Sequence, residues 1–347
     1  MEDKKKLDYA AAGVDIDAGD RAVERIKSLA KATFSDAVLS EIGSFGGFYK
    51  PDLGGIKKPV LISSADGVGT KLKIAFMTGR HTTVGTDLVN HCTDDILVHG
   101  ARPLFFLDYI GTGKISPDIV ADIVEGFSSG CKANGMALLG GETAEMPGFY
   151  ADGEYDLAGF IVGLVDQDRV VSGRDIAAGD TVIGLASDGL HTNGYSLARK
   201  VFFERAGLAP DDFVDSLGRT AGDELLRVHR SYLGPIMTIL DKFEIKGMAH
   251  ITGGGLPGNL VRILPENCRA EIDRKSWPVP PVFRFIQEKG PVDENEMYRA
   301  FNMGIGYTLV VAAAFADKVA DTLKSEGETP YILGTVTGGT KAVIIKD

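Results

Sequence analysis

Residues Pro59 to Leu72 read PVLISSADGVGTKL. Pro59 to Ala65 is a short apolar run of the buried-strand kind, and Asp66-Gly67 stops it with a strong turn signal. Gly67 and Gly69 then allow backbone N–H groups to approach a ligand, and Thr70 and Lys71 add a hydroxyl and an ammonium. The segment reads as a phosphate or metal cradle headed by Asp66, or as a tight turn followed by a solvated lysine. It is not a P-loop, because the spacing from glycine to lysine is wrong. The design returns further along, where the strand run Thr181 to Ala186 is followed by Ser187-Asp188-Gly189. Two strands that end alike suggest two related halves, although Asp-Gly is also a common way to end a strand.

Around this stretch helix and strand patterns alternate. Helical spacing covers Ala18–Lys31 and Thr83–His99, and Ser116-Pro117 opens a helix that runs to Asn134-Gly135. Strand runs are Leu104–Tyr109, Met136–Leu139 and Tyr155–Val165. The polar stretch Asp166–Asp180 reads as a connection. Strands and helices restart after it, including one long helix expected over Asp223–Phe243 and a short one from Asn259. The 347 residues suit two domains, divided near residue 170 into 1–170 and 171–347.

Glycine is the compositional outlier: 44 residues, in short clusters without a collagen period, mark many loops with special backbone angles. Lys+Arg number 37 against 48 Asp+Glu, a net charge of −11, which disfavours a broad basic surface for nucleic acid. An acidic chain that handles polyphosphates does so with metal ions, backbone N–H groups and a few placed cations. Cys92, Cys131 and Cys268 show neither a disulfide framework nor metal-type spacing, in keeping with a reducing compartment. No secretory signal and no membrane-spanning run is legible, so a cytoplasmic protein is expected.

Four further segments carry chemistry. On the Thr83–His99 helix, Asp87, His91 and Asp95 share a face at i, i+4 and i+8, with Asp94 beside them. That is a Mg²⁺ or zinc site, or only a polar helix face. GGETAEMPG, from Gly140 to Gly148, puts Glu142 and Glu145 just after a buried strand. Two acids there are costly unless solvated, paired or bound to a cation. SDGLHTNGYSL, from Ser187 to Leu197, clusters His191, Thr192 and Asn193 ahead of a helix. HITGGGLPGN, from His250 to Asn259, holds Gly253-x-Gly255-x-x-Gly258. Its place deep in the chain argues against a dinucleotide-binding unit, but a glycine loop feeding a helix N-terminus suits an oxyanion or a phosphate.

In this order, SADGVGTKL, GGETAEMPG, DGLHTNGYSLAR and HITGGGLPGN, with YAAAGVDIDAG near the start and NMGIGY late, resemble the AIR synthetase (phosphoribosylformylglycinamidine cyclo-ligase) family from about Tyr9 to the C-terminus. The resemblance implies an α+β, two-domain AIR synthetase-like fold and a homodimer whose N-terminal domains build a shared β-barrel. It implies ATP, Mg²⁺ and a small-molecule substrate, with no nucleic-acid or membrane partner. The implied reaction is the fifth step of purine synthesis, closure of formylglycinamidine ribotide to aminoimidazole ribotide through phosphoryl activation of the formamide oxygen. A sister phosphoryl-transfer enzyme of the same superfamily with another acceptor is the alternative.

Carried onto this sequence, the resemblance implies Asp66, Asp95 and Glu142 as ligands of Mg²⁺ on the ATP phosphates. Lys71 and the loop residues Asp66, Gly67, Gly69 and Thr70 are implied as nucleotide contacts, and Gly253, Gly254 and Gly255 as a further phosphate seat. His191 and Asn193, with Lys71, are implied as catalytic residues that orient substrate or assist proton transfer. Ala10, Asp94-Asp95 and Asp188 depart from the family's usual Lys, Asn-Asp and Ser, which leaves the N-terminal arm without an assigned role.

Overall fold

The computed structural model describes residues 16–346, so Tyr9 and Ala10 of the early motif lie outside the described residues. The first half builds a four-stranded sheet from β1 (Pro59–Gly67), β2 (Arg102–Thr112), β3 (Ala137–Glu145) and β4 (Tyr155–Asp166). Its order is β1-β4-β2-β3. β4 runs antiparallel to both β1 and β2, whereas β2 and β3 are parallel and need a crossover. Four helices accompany the sheet: α1 (Ile16–Lys31), α2 (Leu72–Thr78), α3 (Thr82–Leu97) and α4 (Pro117–Ala133), the last being that crossover.

α3 and α4 cover one face of the sheet. They approach closely because Gly85 and Gly126 meet at the contact, where a Cβ on either would run into a backbone carbonyl of the other helix. Leu88, Val89, Ile123 and Phe127 pack there onto Phe106, Ile110 and Ile161 of the strands. Alternation along β1 and β4 turns Leu61 and Phe160 to the opposite face, where they are 65% and 45% exposed.

The second half builds a six-stranded sheet. After β5 (Thr181–Ala186), the two-residue strands β6 (Phe213–Val214) and β7 (Arg219–Thr220) pair apart from it. The sheet then takes β8 (Gly247–His250), β9 (Cys268–Asp273), β10 (Ile305–Val311), β11 (Pro330–Gly338) and β12 (Ala342–Lys346), in the order β12-β9-β11-β5-β10-β8. Only β12 and β9 are parallel. β10 lies between β5 and the edge strand β8 and is buried along its whole length. The two cores of this half each take in a residue of the first half, Ile74 in one and Leu97 in the other, so the halves share packed surface.

One expectation fails here. The long helix over Asp223–Phe243 is two short ones, Ala221–Leu225 and Leu233–Leu240, with residues 226–232 non-helical between them. The cause lies in α3. Asp87 Oδ1 accepts from the backbone N–H of His229 at 2.6 Å, and Asp94 Oδ1 accepts from that of Tyr232 at 3.0 Å. Asn90 Nδ2 donates to the His229 carbonyl at 2.7 Å. Backbone groups that a helix would use are taken by side chains of the other half instead. A smaller difference is the helix after the glycine loop, which starts at Gly255 rather than Asn259.

Candidate active site at the junction of the two halves

Four of the five sequence segments meet where the halves touch. β1 ends at Asp66-Gly67, and the loop behind it forms a single 3₁₀ turn over Gly69–Lys71. Side chains three apart eclipse in such a turn, so Val68 and Lys71 both point inward while Gly69 and Thr70 stay exposed. Thr70 Oγ1 reaches Ser196 Oγ at 3.0 Å, and His91 Nδ1 reaches Thr192 Oγ1 at 2.8 Å. His250, at the end of β8, bonds Asp95 Oδ1 through Nδ1 at 2.9 Å. Asn193 Oδ1 lies against Gly253 of the glycine loop.

Asp66 and Asp95 face one another across His91. His91 Nε2 donates to Asp66 Oδ2 at 2.6 Å and lies 3.8 Å from Asp95 Oδ2, which also accepts from Ser64 Oγ at 3.1 Å. Burial alone would depress the His91 imidazole. The Asp66 hydrogen bond and the charges of Asp95, Asp66 and Asp87 together outweigh it and hold its pKa above the usual value. Burial likewise pushes Asp66 and Asp95 up, but bonding to His91 and His250 respectively brings both below the ordinary carboxylate value. The pair is therefore anionic at neutral pH. Asp66 is 44% exposed and Asp95 26%, so this carboxylate pair opens to solvent.

Behind it sits a buried histidine cluster that the sequence reading did not assemble. His229 Nε2 and His250 Nε2 are 3.0 Å apart, and His229 Nδ1 is 3.2 Å from the Thr192 hydroxyl. His191 stacks on His229 with ring centroids 4.2 Å apart. Burial drives His191 and His229 well below the ordinary histidine pKa, so both are neutral. His229 carried no sequence signal, because it lay inside an expected helix.

Three implied site residues are placed differently from expectation. Lys71 is fully buried. Its ammonium pairs with Asp87 at 2.8 Å and donates to the carbonyls of His191 and Arg227 at 3.1 and 2.6 Å. Burial draws this pair together in pKa, Lys71 down and Asp87 up, with their mutual attraction opposing it. Lys71 is thus a strut between the halves, not a phosphate contact.

Glu142 is the second. Asp66 aligns with Gly159, Gly159 with Asp108 and Asp108 with Gly141 across the sheet. Glu142 therefore stands three strand spacings, roughly 14 Å, from Asp66. It cannot share one cation with Asp66 and Asp95 of the same chain.

The third is His191, which is 1% exposed and adopts a positive φ of 60°. Its Nε2 accepts from the Asp188 N–H at 3.1 Å, so the neutral ring carries its proton on Nδ1, which has no partner. Asn193 Nδ2 is a second buried donor without a partner. In the glycine loop, Gly254 and Gly255 spend their N–H groups on the carbonyls of Arg299 and Thr252. That leaves less of a phosphate cradle than the sequence suggests.

Residues 54–165 match the N-terminal domain, and residues 177–347 the C-terminal domain, of the AIR synthase related protein family. Two mixed sheets joined by a polar junction thus define an AIR synthase-related protein. Solved structures share this fold at low identity. Thiamine-monophosphate kinase from Stenotrophomonas maltophilia is 17% identical with a TM-score of 0.71, over 94% of this chain and 96% of that one. Hydrogenase maturation protein HypE in complex with ATP is 17% identical with a TM-score of 0.66, over 93% and 90%.

Closer in sequence is the phosphoribosylformylglycinamidine cyclo-ligase of Syntrophotalea carbinolica, 54% identical over 97% of this chain and 96% of that protein. Those of Trichlorobacter lovleyi and Geobacter metallireducens are 52% and 51% identical, over 97% and 98% of this chain and 97% and 98% of theirs. The chain belongs to the phosphoribosylformylglycinamidine cyclo-ligase family.

Proposed function

We propose that the chain closes the imidazole ring of aminoimidazole ribotide, converting formylglycinamidine ribotide and ATP into that product, ADP and phosphate. The observation that carries the reading is the convergence of segments from both halves on the Asp66–His91–Asp95 group. An amide oxygen is a poor leaving group, and phosphorylation makes it a good one. The formamide oxygen takes the γ-phosphoryl group as ADP departs. The amidine nitrogen then attacks the activated carbon, and phosphate leaves with the former formamide oxygen as the ring closes.

Such a transfer needs placement and charge neutralisation more than covalent help. Asp66 and Asp95 are hard oxygen donors with lone pairs left over, which suits Mg²⁺. Bound there, Mg²⁺ would neutralise phosphate charge. His91 and His250 hold the two carboxylates in place. Exposed Gly69 and Thr70 border them and meet the nucleotide phosphates. Asn193 Nδ2 and His191 Nδ1, both buried donors without partners, orient substrate oxygens, His191 after a small shift of its loop.

The chain divides functionally into 1–170 and 171–347, with the site between. The outward apolar face at Leu61 and Phe160 supports a homodimer in which N-terminal sheets close a shared barrel. The protein works in the cytoplasm; among the described residues no helix is long and apolar enough to cross a membrane. The test is ADP release with and without formylglycinamidine ribotide. The expected result is ADP formed only when both are present, at one ADP per aminoimidazole ribotide. ADP formed equally without the ribotide defeats the reading.

A further inference from the structure

We infer that His91, His229 and His250 form a binding site for one d-block metal ion, Zn²⁺ or a relative, directly behind the Asp66–Asp95 carboxylate pair. The three imidazoles come from both halves: His91 from α3, His229 from the non-helical segment 226–232, and His250 from β8. All three are buried, and one ligand nitrogen of each lies within 4.8 Å of the others. Four-coordinate zinc with nitrogens at roughly 2.0–2.1 Å holds them about 3.3 Å apart. His229 Nε2 and His250 Nε2, at 3.0 Å, already have nearly that separation. A modest swing of His91 completes the set.

The surroundings fit as well. Metal-bound histidines characteristically anchor the ring nitrogen that does not bind the metal. Here His250 Nδ1 is anchored by Asp95, and His91 Nδ1 and His229 Nδ1 both meet the Thr192 hydroxyl. The two lone pairs of that oxygen accept both N–H groups, leaving all three Nε2 lone pairs for the ion. An independent feature supplies a fourth ligand. Asp94 Oδ2 is buried without a hydrogen-bond partner, 3.5 Å from His229 Nε2. Binding displaces the His91 Nε2 proton shared with Asp66, while the proton between His229 and His250 moves to His229 Nδ1. Three imidazoles and a carboxylate select zinc, cobalt or nickel over Mg²⁺, which prefers oxygen.

The test is titration of the untagged, metal-free protein with Co²⁺, followed by displacement with Zn²⁺. The inference predicts one Co²⁺ per chain with the intense visible bands of a four-coordinate ion, bleached by one equivalent of Zn²⁺. His229→Gln is expected to weaken binding about 100-fold or more, and Asp66→Asn to retain the spectrum. His250→Gln serves as the second ligand variant, and circular dichroism checks that each variant is folded. Absence of stoichiometric Co²⁺ binding overturns the inference. So does binding that survives both histidine variants while disappearing in Asp66→Asn. The readout is metal binding, so it stands or falls separately from the ring-closing activity.

Discussion

Replacing Lys71 by methionine is expected to destabilise the protein by about 3–5 kcal/mol, the largest stability effect of any single substitution at the junction. Methionine matches the length of the lysine stem but removes the charge. Asp87 is then left fully buried without the ammonium that pairs with it, and the carbonyls of His191 and Arg227 lose their donor. An uncompensated buried carboxylate either stays charged at high cost or takes up a proton. Urea unfolding at neutral pH measures the loss. Adding Asp87→Asn should recover most of it, since asparagine has no charge to compensate yet still offers an oxygen to the His229 N–H. Lys73→Met is the control. Its partner Glu154 and Lys73 itself are 39% and 38% exposed, so the change should stay within about 1 kcal/mol. A Lys71→Met protein as stable as the parent would mean that the lysine is not the strut the geometry makes it.

The largest effect on turnover is expected at Asp95. Asp95→Asn keeps the shape and removes the charge, so the Ser64 and His250 contacts survive in part and the fold persists. The anionic pair that would hold Mg²⁺ is halved. Loss of one preorganised electrostatic group at a phosphoryl-transfer site costs about 10²–10³-fold in turnover. The Mg²⁺ concentration for half-maximal rate should also rise, which a merely structural role would not cause. Steady-state rates across a Mg²⁺ series check both. Full activity with an unchanged Mg²⁺ response would remove Asp95 from the account.

The two cases also show what the sequence made legible. The strand before Asp66, the glycine loops and α3 were readable because each is encoded within a dozen neighbouring residues. Asp66, His91 and Asp95 were recognisable for the same reason, by strand end and helix face. Lys71 was misread because a one-turn 3₁₀ segment, which leaves little pattern in sequence, decides whether residue 71 points outward or inward. Glu142 was misplaced because strand order is a tertiary property: two acids that each follow a buried strand look alike until β4 and β2 are known to lie between them. The break in the helix near His229 was invisible for a further reason. It is caused by Asp87 and Asp94 of α3, far away in sequence, whose claims on the backbone outweigh local helix propensity.

The central claim is that the formamide oxygen is made into a leaving group by phosphorylation. Formylglycinamidine ribotide labelled with ¹⁸O in the formyl group, turned over with unlabelled ATP and Mg²⁺, tests it directly. The account predicts that inorganic phosphate carries one ¹⁸O for each ring closed, read by mass spectrometry. Phosphate free of label, with the ¹⁸O found in water, would contradict it.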